Sequence, residues 1–406
     1  MVLGIIAEYN PFHNGHLYHL LKSKEKANAD YVIAVIGGNF TQRGEPSFLD
    51  KWSKTEMALK NGVDLVIELP TLYSTSSAEN FADGAIKILN SLNIVDCVSF
   101  GTETDNLAKL NSIATILHEE PKDFKTLLES ELKKGISFPK ARENALNKYL
   151  NSNESKILSS PNNILAIEYL KALKKYKSHI RPIAIKRKDS GHLTLDYTGS
   201  ITSATAIRNM LKTNNTKNIK NVLTPVSYTI LKDELKSGHY VSDISLFEKI
   251  IIYKLRTMPL SEISNIPDVS EGLENSIKKA ANSCNSIDEI INIVRSKRYT
   301  ETRIKRILLY VLLNITKKDI ALSKRTKPYI RVLGFNENGK KIVSQISKNN
   351  PTLSIVTSVK KFLDSKPNKS LKTMIDIDIY ATNVYTIGFQ NDSWNNLDFT
   401  KKIIQI

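Results

Sequence analysis

Cysteine is nearly absent from this chain of 406 residues, which contains only Cys97 and Cys284. Two cysteines exclude a disulfide framework and a cysteine-rich metal cluster. Long hydrophobic runs are missing too, because the longest, residues 307–313, is far too short to cross a bilayer. The first residues carry no basic leader, and Glu8 directly follows the apolar run, which argues against a signal peptide. We therefore expect a soluble, cytoplasmic protein without a membrane partner.

Acidic residues are scarce in the second part of the chain. Residues 1–150 hold 16 Lys and Arg against 19 Asp and Glu, whereas the remainder holds 42 against 22. The window 301–350 contains twelve basic and three acidic residues. A near-neutral part joined to a strongly basic part is typical of a catalytic module attached to a surface that binds polyanions, nucleic acid above all. A general bias towards lysine is the alternative.

Short apolar segments alternate with helical patterns in the first part of the sequence. The predicted strands are 2–9, 30–37, 64–69, 94–100 and 180–186, and the predicted helices between them are 16–28, 51–60 and 78–92. This alternation predicts an α/β fold with a Rossmann-like, doubly wound parallel sheet. Ligands of such sheets bind outside the carboxyl ends of the strands. Segments 8–16, 37–46, 69–75 and 100–104 are therefore the candidate site.

The alternation of strands and helices stops near residue 215. Residues 105–175 and 226–322 have helical patterns, whereas 330–335, 353–359 and 375–389 resemble strands with helices between them. We predict a catalytic domain over 1–215, a basic helical region over 216–325 and a small α+β region over 326–406.

The strongest local signal is the segment Asn-Pro-Phe-His-Asn-Gly-His between the first strand and the first helix. His13 and His16 lie on the opening turn of that helix and can address one anion held at the helix N-terminus. Gly15 allows a nucleotide to approach the backbone closely. Imidazoles there can stabilise charge that develops on a phosphate. Ordinary capping or core histidines are the alternative, and a zinc site lacks the usual further ligands.

A second cluster, Thr-Ser-Ala-Thr-Ala-Ile-Arg, opens a later helix. Ser203 or Thr205 can cap that helix and leave backbone N–H groups for a phosphate, while Arg208 adds positive charge. A simple capped helix with a solvated arginine explains the cluster equally well.

The two clusters together resemble the HIGH-superfamily nucleotidyltransferases. The ordered segments AEYNPFHNGHLYHL, GGNFTQRGEPSFLDKW, GVDLVIELP, SFGTET, SPNNILAIEYLKAL and SATAIR are similar to the bacterial tRNA(Met) cytidine acetate ligase family, as is the later IRVLGFNENGK. The resemblance implies that acetate attacks the α-phosphate of ATP to give acetyl-adenylate and pyrophosphate. The N4 amine of the wobble cytidine of elongator tRNA(Met) then takes the acetyl group, giving N4-acetylcytidine and AMP. The resemblance implies ATP as a substrate, and Mg²⁺ is the usual partner of its phosphates. We expect no tightly bound cofactor and no obligate protein partner.

The resemblance also implies which residues bind ATP. These are Ala7, Glu8, Tyr9, Asn10, Pro11, Phe12, His13, Asn14, Gly15, His16, Leu17, Tyr18, His19, Leu20, Gly101, Asn162, Arg187, Ser203, Thr205 and Arg208. Gly101 would let adenosine pack against the backbone. Asn162 has a structural alternative as a helix-start residue that bonds its own backbone, and Arg187 as one of several cations on a basic strand.

Three residues are candidates for catalysis: His13, His16 and Arg43. A carboxylate substrate needs a cationic partner, and Arg43 lies beside the expected site together with Asn39 and Gln42. Pairing of Arg43 with Glu45 or Asp50 within the loop is the alternative. Glu68, at the end of the third strand, can accept a proton or serve only as a structural carboxylate.

Four basic residues are candidates for tRNA contact: Lys324, Arg325, Lys327 and Arg331. Aromatic residues lie among them, as at Tyr329, and can stack on unpaired anticodon bases, although most aromatic residues belong to cores. Two other functions remain open. One is a small-molecule adenylyltransferase acting on a pantetheine-type or nicotinamide-mononucleotide-type phosphate, and the other is an RNA-binding protein with a relict nucleotide site.

Overall fold

The strands of the first part form where the apolar segments were predicted. In this computed structural model the described residues are 1–151, 157–158, 160–187, 201–213, 215, 217–391 and 396–406. The strands are β1 (Val2–Ala7), β2 (Tyr31–Gly37), β3 (Leu65–Leu69), β4 (Cys97–Thr102), β5 (Arg181–Lys186), β6 (Tyr329–Phe335), β7 (Ser354–Val356) and β8 (Ile404–Gln405). The first five coincide with the predicted strands to within a few residues.

The strands form one sheet in the order β5-β4-β1-β2-β3-β6-β7, with β8 also paired to β6. The first five strands are mutually parallel, with Ile5 opposite Ala34 of β2 and Ser99 of β4. After β3 the chain crosses past β2 and β1, and β4 then pairs on the other side of β1. β1 therefore lies between β2 and β4. This reversal of strand order is the topological switch point at which doubly wound sheets bind ligands. The predicted fold class is confirmed.

Helices connect and cover the strands. Those in the first part are α1 (Asn14–Ala27), α2 (Lys51–Lys60), α3 (Thr71–Ser74), α4 (Ala78–Ser91), α5 (Leu107–Glu119), α6 (Lys122–Leu132), α7 (Phe138–Leu150), α8 (Pro161–Lys175) and α9 (Ala204–Lys212). Those that follow are α10 (Ile219–Val222), α11 (Pro225–Ser237), α12 (Glu248–Thr257), α13 (Leu260–Ser264), α14 (Leu273–Ser283), α15 (Ile287–Val294), α16 (Glu301–Leu313), α17 (Lys317–Arg325), α18 (Glu337–Asn349), α19 (Val359–Asp364), α20 (Lys369–Thr386) and α21 (Leu397–Thr400), with a 3₁₀ turn over Ile244–Phe247.

The sheet separates two hydrophobic cores because successive side chains of a strand point to opposite faces. In β2, Ile33 and Val35 pack with α4, α5 and α8, whereas Val32 and Ala34 pack with α1, α2 and α11. The helical stretches predicted over 105–175 and 226–322 are present as α5–α8 and α11–α17. The core on the α4 side continues into α12–α16, so the helical region packs directly on the catalytic part.

The C-terminal residues differ from expectation in two ways. Strand β6 pairs antiparallel with β3, with Gly334 opposite Val66, so these residues extend the first sheet instead of forming their own. The strand predicted over 375–389 is wrong, because most of this segment belongs to helix α20. Alternating Ile and Asp at 375–379 suggested a strand, but the buried positions Leu371, Met374, Ile375 and Asp378 have helical spacing.

In the described part of the chain, none of the helices is both long enough and apolar enough to cross a membrane.

Candidate active site

A cavity of about 720 Å³ opens at the carboxyl ends of β1, β2, β4 and β5. Its lining includes Ala7 at the end of β1, Thr41 in the loop after β2, Gly101 near the end of β4 and Lys186 at the end of β5. Three predicted segments, after β1, β2 and β4, therefore meet in one place, as the rule for doubly wound sheets requires. The cavity volume lies within the range of about 300–1,000 Å³ typical of small-molecule sites.

Two histidines cap helix α1 and form one edge of the cavity. The Nδ1 atom of His13 accepts a hydrogen bond from the Gly15 N–H at 3.0 Å, and the Nδ1 atom of His16 accepts one from the His13 N–H at 3.3 Å. This reciprocal pattern is a capping box, in which side chains occupy the N–H groups that a helix start leaves unpaired. The two ring centroids are 3.8 Å apart. With both Nδ1 atoms used as acceptors, the neutral rings carry their protons on Nε2. The His16 ring is also hydrogen-bonded to the backbone of Pro11, so the Nε2–H of His13 is the donor that remains for a ligand.

The environment keeps these imidazoles uncharged at neutral pH. Burial, together with the charges of Arg187 and Arg208, lowers the pKa of His13 to about 3. Burial and the adjacent His13 hold the pKa of His16 well below its ordinary value. His19 lies one turn deeper, bonds the Ser99 hydroxyl at 3.1 Å, and has its pKa lowered to about 4 by burial and Arg187. An incoming phosphate therefore meets neutral donors among fixed guanidinium charges.

Gly15 is required by the position of the His13 ring. A Cβ atom at residue 15 would lie 2.8 Å from Cε1 of His13, which is closer than two such carbon atoms can approach. The absent side chain therefore permits the close, tilted arrangement of the His13 and His16 rings.

Only some residues of the predicted ATP-binding segment, residues 7–20, line the cavity. Ala7, Glu8, Tyr9, Asn10, His13, Gly15, His16, Tyr18 and His19 line the cavity. The other predicted positions, Pro11, Phe12, Asn14, Leu17 and Leu20, do not. Phe12 and Leu20 belong to the core on the α1 side of the sheet, and the Asn14 amide donates to the Asn221 carbonyl at 2.9 Å.

The start of helix α9 faces the histidines. Thr205 and Arg208 line the cavity, and Arg208 donates to the Asn10 carbonyl at 2.9 Å. This bond joins α9 to the loop that follows β1, although the two segments are far apart in sequence. Ser203 is the N-cap of α9: its hydroxyl accepts from the Ala206 N–H at 3.0 Å, and its side chain is buried away from the cavity.

Gly101, Asn162 and Arg187 also meet in the cavity wall. A Cβ atom at Gly101 would lie 3.5 Å from Cγ of Arg187, which is an ordinary van der Waals contact. The Asn162 amide donates to the Glu103 carboxylate at 2.6 Å instead of bonding its own backbone. Glu103 also accepts from the Asn163 N–H, so it anchors the start of α8 to the end of β4.

The loop after β2 brings Arg43 and Gln42 to the cavity. Neither carboxylate considered as a partner of Arg43 pairs with it, because Glu45 binds Lys305 at 2.9 Å and Asp50 caps helix α2. The Gln42 N–H donates to the Glu8 carboxylate at 2.9 Å. Arg43, Arg187 and Arg208 give this end of the cavity an excess of positive charge.

Asn39, Glu68 and Arg331 do not reach the cavity. The Asn39 side chain accepts from the Lys51 N–H at 2.9 Å, and the Lys51 ammonium lies 2.9 Å from Glu68 and 2.8 Å from Asp398. Although burial lowers the pKa of Lys51, the carboxylates of Asp398 and Glu68 raise it on balance, so it stays charged. Glu68 is therefore a structural carboxylate.

The prediction that Arg331 contacts tRNA is wrong for this structure. Arg331 is only 5% exposed, and its guanidinium bonds Asp398 at 3.2 Å. It lies on β6 inside the sheet, where a basic side chain compensates a buried carboxylate instead of reaching solvent. Lys324, Arg325 and Lys327, at the end of α17 and just beyond it, are exposed.

Part of the cavity wall was missed by sequence reasoning. It consists of Ser77, Glu79 and Phe81 from the start of α4, Phe138 and Arg142 from α7, Glu168 and Tyr169 from α8, and Thr300, Thr302 and Arg306 from α16. Ser137 and Pro139 are local signals for the start of α7, but they do not show that this helix reaches the cavity. Thr300 and Glu301 mark the start of α16 locally, but no local signal shows that this helix reaches the cavity, because that depends on packing between distant parts of the chain.

A parallel sheet with paired histidines at its switch point and an arginine-bearing helix opposite them defines a nucleotidyltransferase. The chain belongs to the HIGH Nucleotidyl Transferase family, which it matches over residues 1–398. This confirms the resemblance seen in the sequence.

Two relatives and two solved structures are similar along their whole length. The chain is 49% identical to the tRNA(Met) cytidine acetate ligase of Thermoanaerobacter sp. strain X514, with 100% of both chains covered. It is 48% identical to the ligase of the same name from Caldanaerobacter subterraneus subsp. tengcongensis, with 100% and 99% covered. The crystal structure of apo Thermotoga maritima TmcAL superposes with a TM-score of 0.95 at 36% identity, and that of TmcAL bound with alpha-thio ATP with 0.93 at 35%. Each covers 100% of this chain and 99% of its own.

Proposed function

We propose that this protein is an ATP-dependent tRNA(Met) cytidine acetate ligase that converts the wobble cytidine of elongator tRNA(Met) to N4-acetylcytidine. The observation that carries this proposal is the cavity at the switch point, where paired neutral histidines face Arg208 in a chain 49% identical to a ligase of that name. A tRNA substrate implies that the protein works in the cytoplasm. Mg²⁺ would enter on the phosphates of ATP, as is usual for this ion.

In the first step an acetate oxygen attacks the α-phosphorus of ATP, and the bond from that phosphorus to the bridging oxygen of pyrophosphate breaks. The Nε2–H group of His13 donates a hydrogen bond to a phosphate oxygen on which negative charge develops, and His16 donates to a second one by exchanging its bond to the Pro11 backbone for one to the phosphate. Arg208, which the Asn10 carbonyl holds in place, adds a fixed positive charge. No covalent enzyme intermediate is needed, because position and charge supply the catalysis.

Arg43 is the proposed partner of the acetate carboxylate. It lines the cavity from the loop after β2, on the other side of β1 from Gly101 and Arg187. Gly101, Asn162 and Arg187 would then hold the nucleoside part of ATP, so the α-phosphate would lie between the two groups. Acetate and ATP would therefore approach each other across the start of α1, where the histidines are.

In the second step the N4 amine attacks the carbonyl carbon of acetyl-adenylate. The new N4–C bond forms, the C–O bond of the acyl phosphate breaks, AMP leaves with the electron pair, and the amine proton passes to solvent. The exposed cations Lys324, Arg325 and Lys327, where the basic helical region meets the C-terminal residues, would supply a surface for the tRNA.

ATP–pyrophosphate exchange tests the first step. We expect exchange that requires acetate, followed by transfer of labelled acetate to unmodified tRNA(Met). His16→Ala should abolish exchange and leave the tRNA dissociation constant nearly unchanged, because it removes one donor to the developing charge. Absence of exchange in the wild type, with and without tRNA, would contradict the proposal and favour a phosphorylated small molecule as substrate.

A further inference from the structure

One part of the cavity has no role in the nucleotide chemistry described above. It is formed by Phe138 and Arg142 on α7, Glu168 and Tyr169 on α8, and Glu79 on α4. We call this group the α7 subsite. The second step of the proposed reaction needs a place for a cytosine ring within the same cavity as the acetyl-adenylate, and the α7 subsite is the part of the wall left for it.

Phe138 lines the cavity and has a largely exposed aromatic ring. It is 51% exposed, whereas Tyr9, Phe81, Phe100 and Tyr169, which also line the cavity, are 2–4% exposed. Phe138 is the first residue of α7 and follows its N-cap, Ser137, so its ring is held at a helix start. An exposed ring beside a deep cavity is a stacking platform of the kind that binds unpaired bases.

Arg142 lies one helical turn after Phe138, with its guanidinium carbon 5.9 Å from the centroid of the Phe138 ring. Its Nη1 atom donates to Glu168 at 2.6 Å, and its Nε atom is buried without a hydrogen-bond partner among the described residues. Lys171 holds the other oxygen of Glu168 at 2.8 Å, so the carboxylate that orients Arg142 is fixed from both sides. A guanidinium has five N–H donors, and this one therefore has donors to spare for a ligand.

The charges of the α7 subsite favour a neutral ligand. Arg142 and Lys171 face Glu168 and Glu79, with Lys171 also 2.9 Å from Glu79. Two positive and two negative groups balance here, in contrast to the excess of arginine near the histidines. Phosphate or acetate would gain little from this balance, whereas a neutral ring with carbonyl and ring-nitrogen acceptors needs only a donor and a stacking surface.

We propose that the α7 subsite binds the target cytosine, flipped out of the anticodon loop. The ring stacks on Phe138, and its O2 and N3 atoms accept hydrogen bonds from Arg142, whose place is fixed by Glu168. These contacts leave the N4 amine unbound, as its attack on the acetyl group requires. This inference rests on the proposed function and assigns the residues that recognise the base.

Phe138→Ala separates this role from binding of ATP. Acetate-dependent exchange needs no RNA and should stay at the wild-type level, while single-turnover transfer to tRNA should fall on the order of 10- to 100-fold, the effect expected from loss of one stacked base. Phe138→Trp should restore transfer. The tRNA dissociation constant should change little, because phosphate contacts dominate affinity.

Phe399→Ala is the matched control, because Phe399 is also exposed, at 45%, and lies outside the cavity. If the Phe138→Ala variant transfers acetate to tRNA as fast as this control does, the proposal is overturned. So would a raised KM for ATP in exchange, because the ring would then belong to the adenine site. Arg142→Gln should lower transfer in the same way, with thermal unfolding as the check on its fold. If the wild-type protein showed no acetate-dependent ATP–pyrophosphate exchange, the proposed function itself would be contradicted.

Discussion

At the scale of single residues, Gly101 allows the proposed nucleotide position to be tested without disturbing the protein. It lies at the end of β4 with room for a methyl group, since a Cβ atom would make only an ordinary contact with Arg187. Gly101→Ala should therefore leave the melting temperature unchanged. If adenosine packs on this backbone, the added methyl group should raise the KM for ATP in exchange on the order of 10-fold, equivalent to about 1.4 kcal/mol.

The control for that substitution is the KM for acetate, which should stay at its wild-type value because acetate is expected on the other side of β1. An unchanged KM for ATP would remove Gly101 from the nucleotide site.

The residues at the site show what sequence alone can and cannot predict. His13, His16 and Arg208 were found because their motifs are local and helix starts have recognisable capping residues. Asn39 and Arg331 were candidates for function that lie outside the cavity, and of the two alternatives for Glu68 the structural one fits, because these side chains bond Lys51 and Asp398. Whether a polar side chain reaches a cavity or a buried partner depends on such long-range contacts.

At the scale of elements, the end of α17 carries the proposed tRNA contact. Neutralising Lys324, Arg325 and Lys327 together with Gln should weaken tRNA binding and reduce the slope of log K against log salt concentration by about 0.7–0.9 for each lost phosphate contact. ATP–pyrophosphate exchange should be unaffected. Filter binding over a series of salt concentrations measures both quantities.

A triple substitution of Lys220, Lys232 and Lys236 is the matched control for α17. These lysines are exposed on α10 and α11, which pack on the opposite face of the sheet. Replacing all three with Gln removes the same amount of positive charge as the α17 substitutions. Equal losses of affinity in the two variants would indicate a general effect of net charge and would remove α17 from the binding face.

Elements were predictable where hydrophobic periodicity is clear. The five strands of the parallel sheet are short apolar runs flanked by turns, and each was found. Helix α20 was mistaken for a strand because Ile and Asp alternate over a few residues, whereas its buried face repeats with helical spacing over its full length. The α7 wall of the cavity had no such signal, because a helix pattern does not show which neighbour its face will meet.

At the scale of the whole molecule, the buried group of Lys51, Glu68, Arg331 and Asp398 joins α2, β3, β6 and α21. Lys51→Met leaves two buried carboxylates without their shared ammonium, so it should lower the free energy of unfolding by about 3–5 kcal/mol. Denaturant unfolding followed by circular dichroism measures this loss.

Lys60→Met serves as the control, because Lys60 pairs with Glu56 in solvent on the same helix. Exposed pairs contribute about 0–1 kcal/mol. A similar loss from both substitutions would show that the buried group does not hold the C-terminal part in place.

The antiparallel pairing of β6 with β3 has a consequence for how the protein is made. Synthesis proceeds from the N-terminus, so the parallel strands emerge from the ribosome long before Tyr329–Phe335 does. Until then Leu65–Leu69, an entirely apolar strand apart from Glu68, has no neighbour on its outer side. An unpaired apolar edge of this kind recruits strands from other chains. The nascent chain therefore passes through a stage at which aggregation competes with completion of the sheet, and a fragment that ends at residue 215 never leaves that stage.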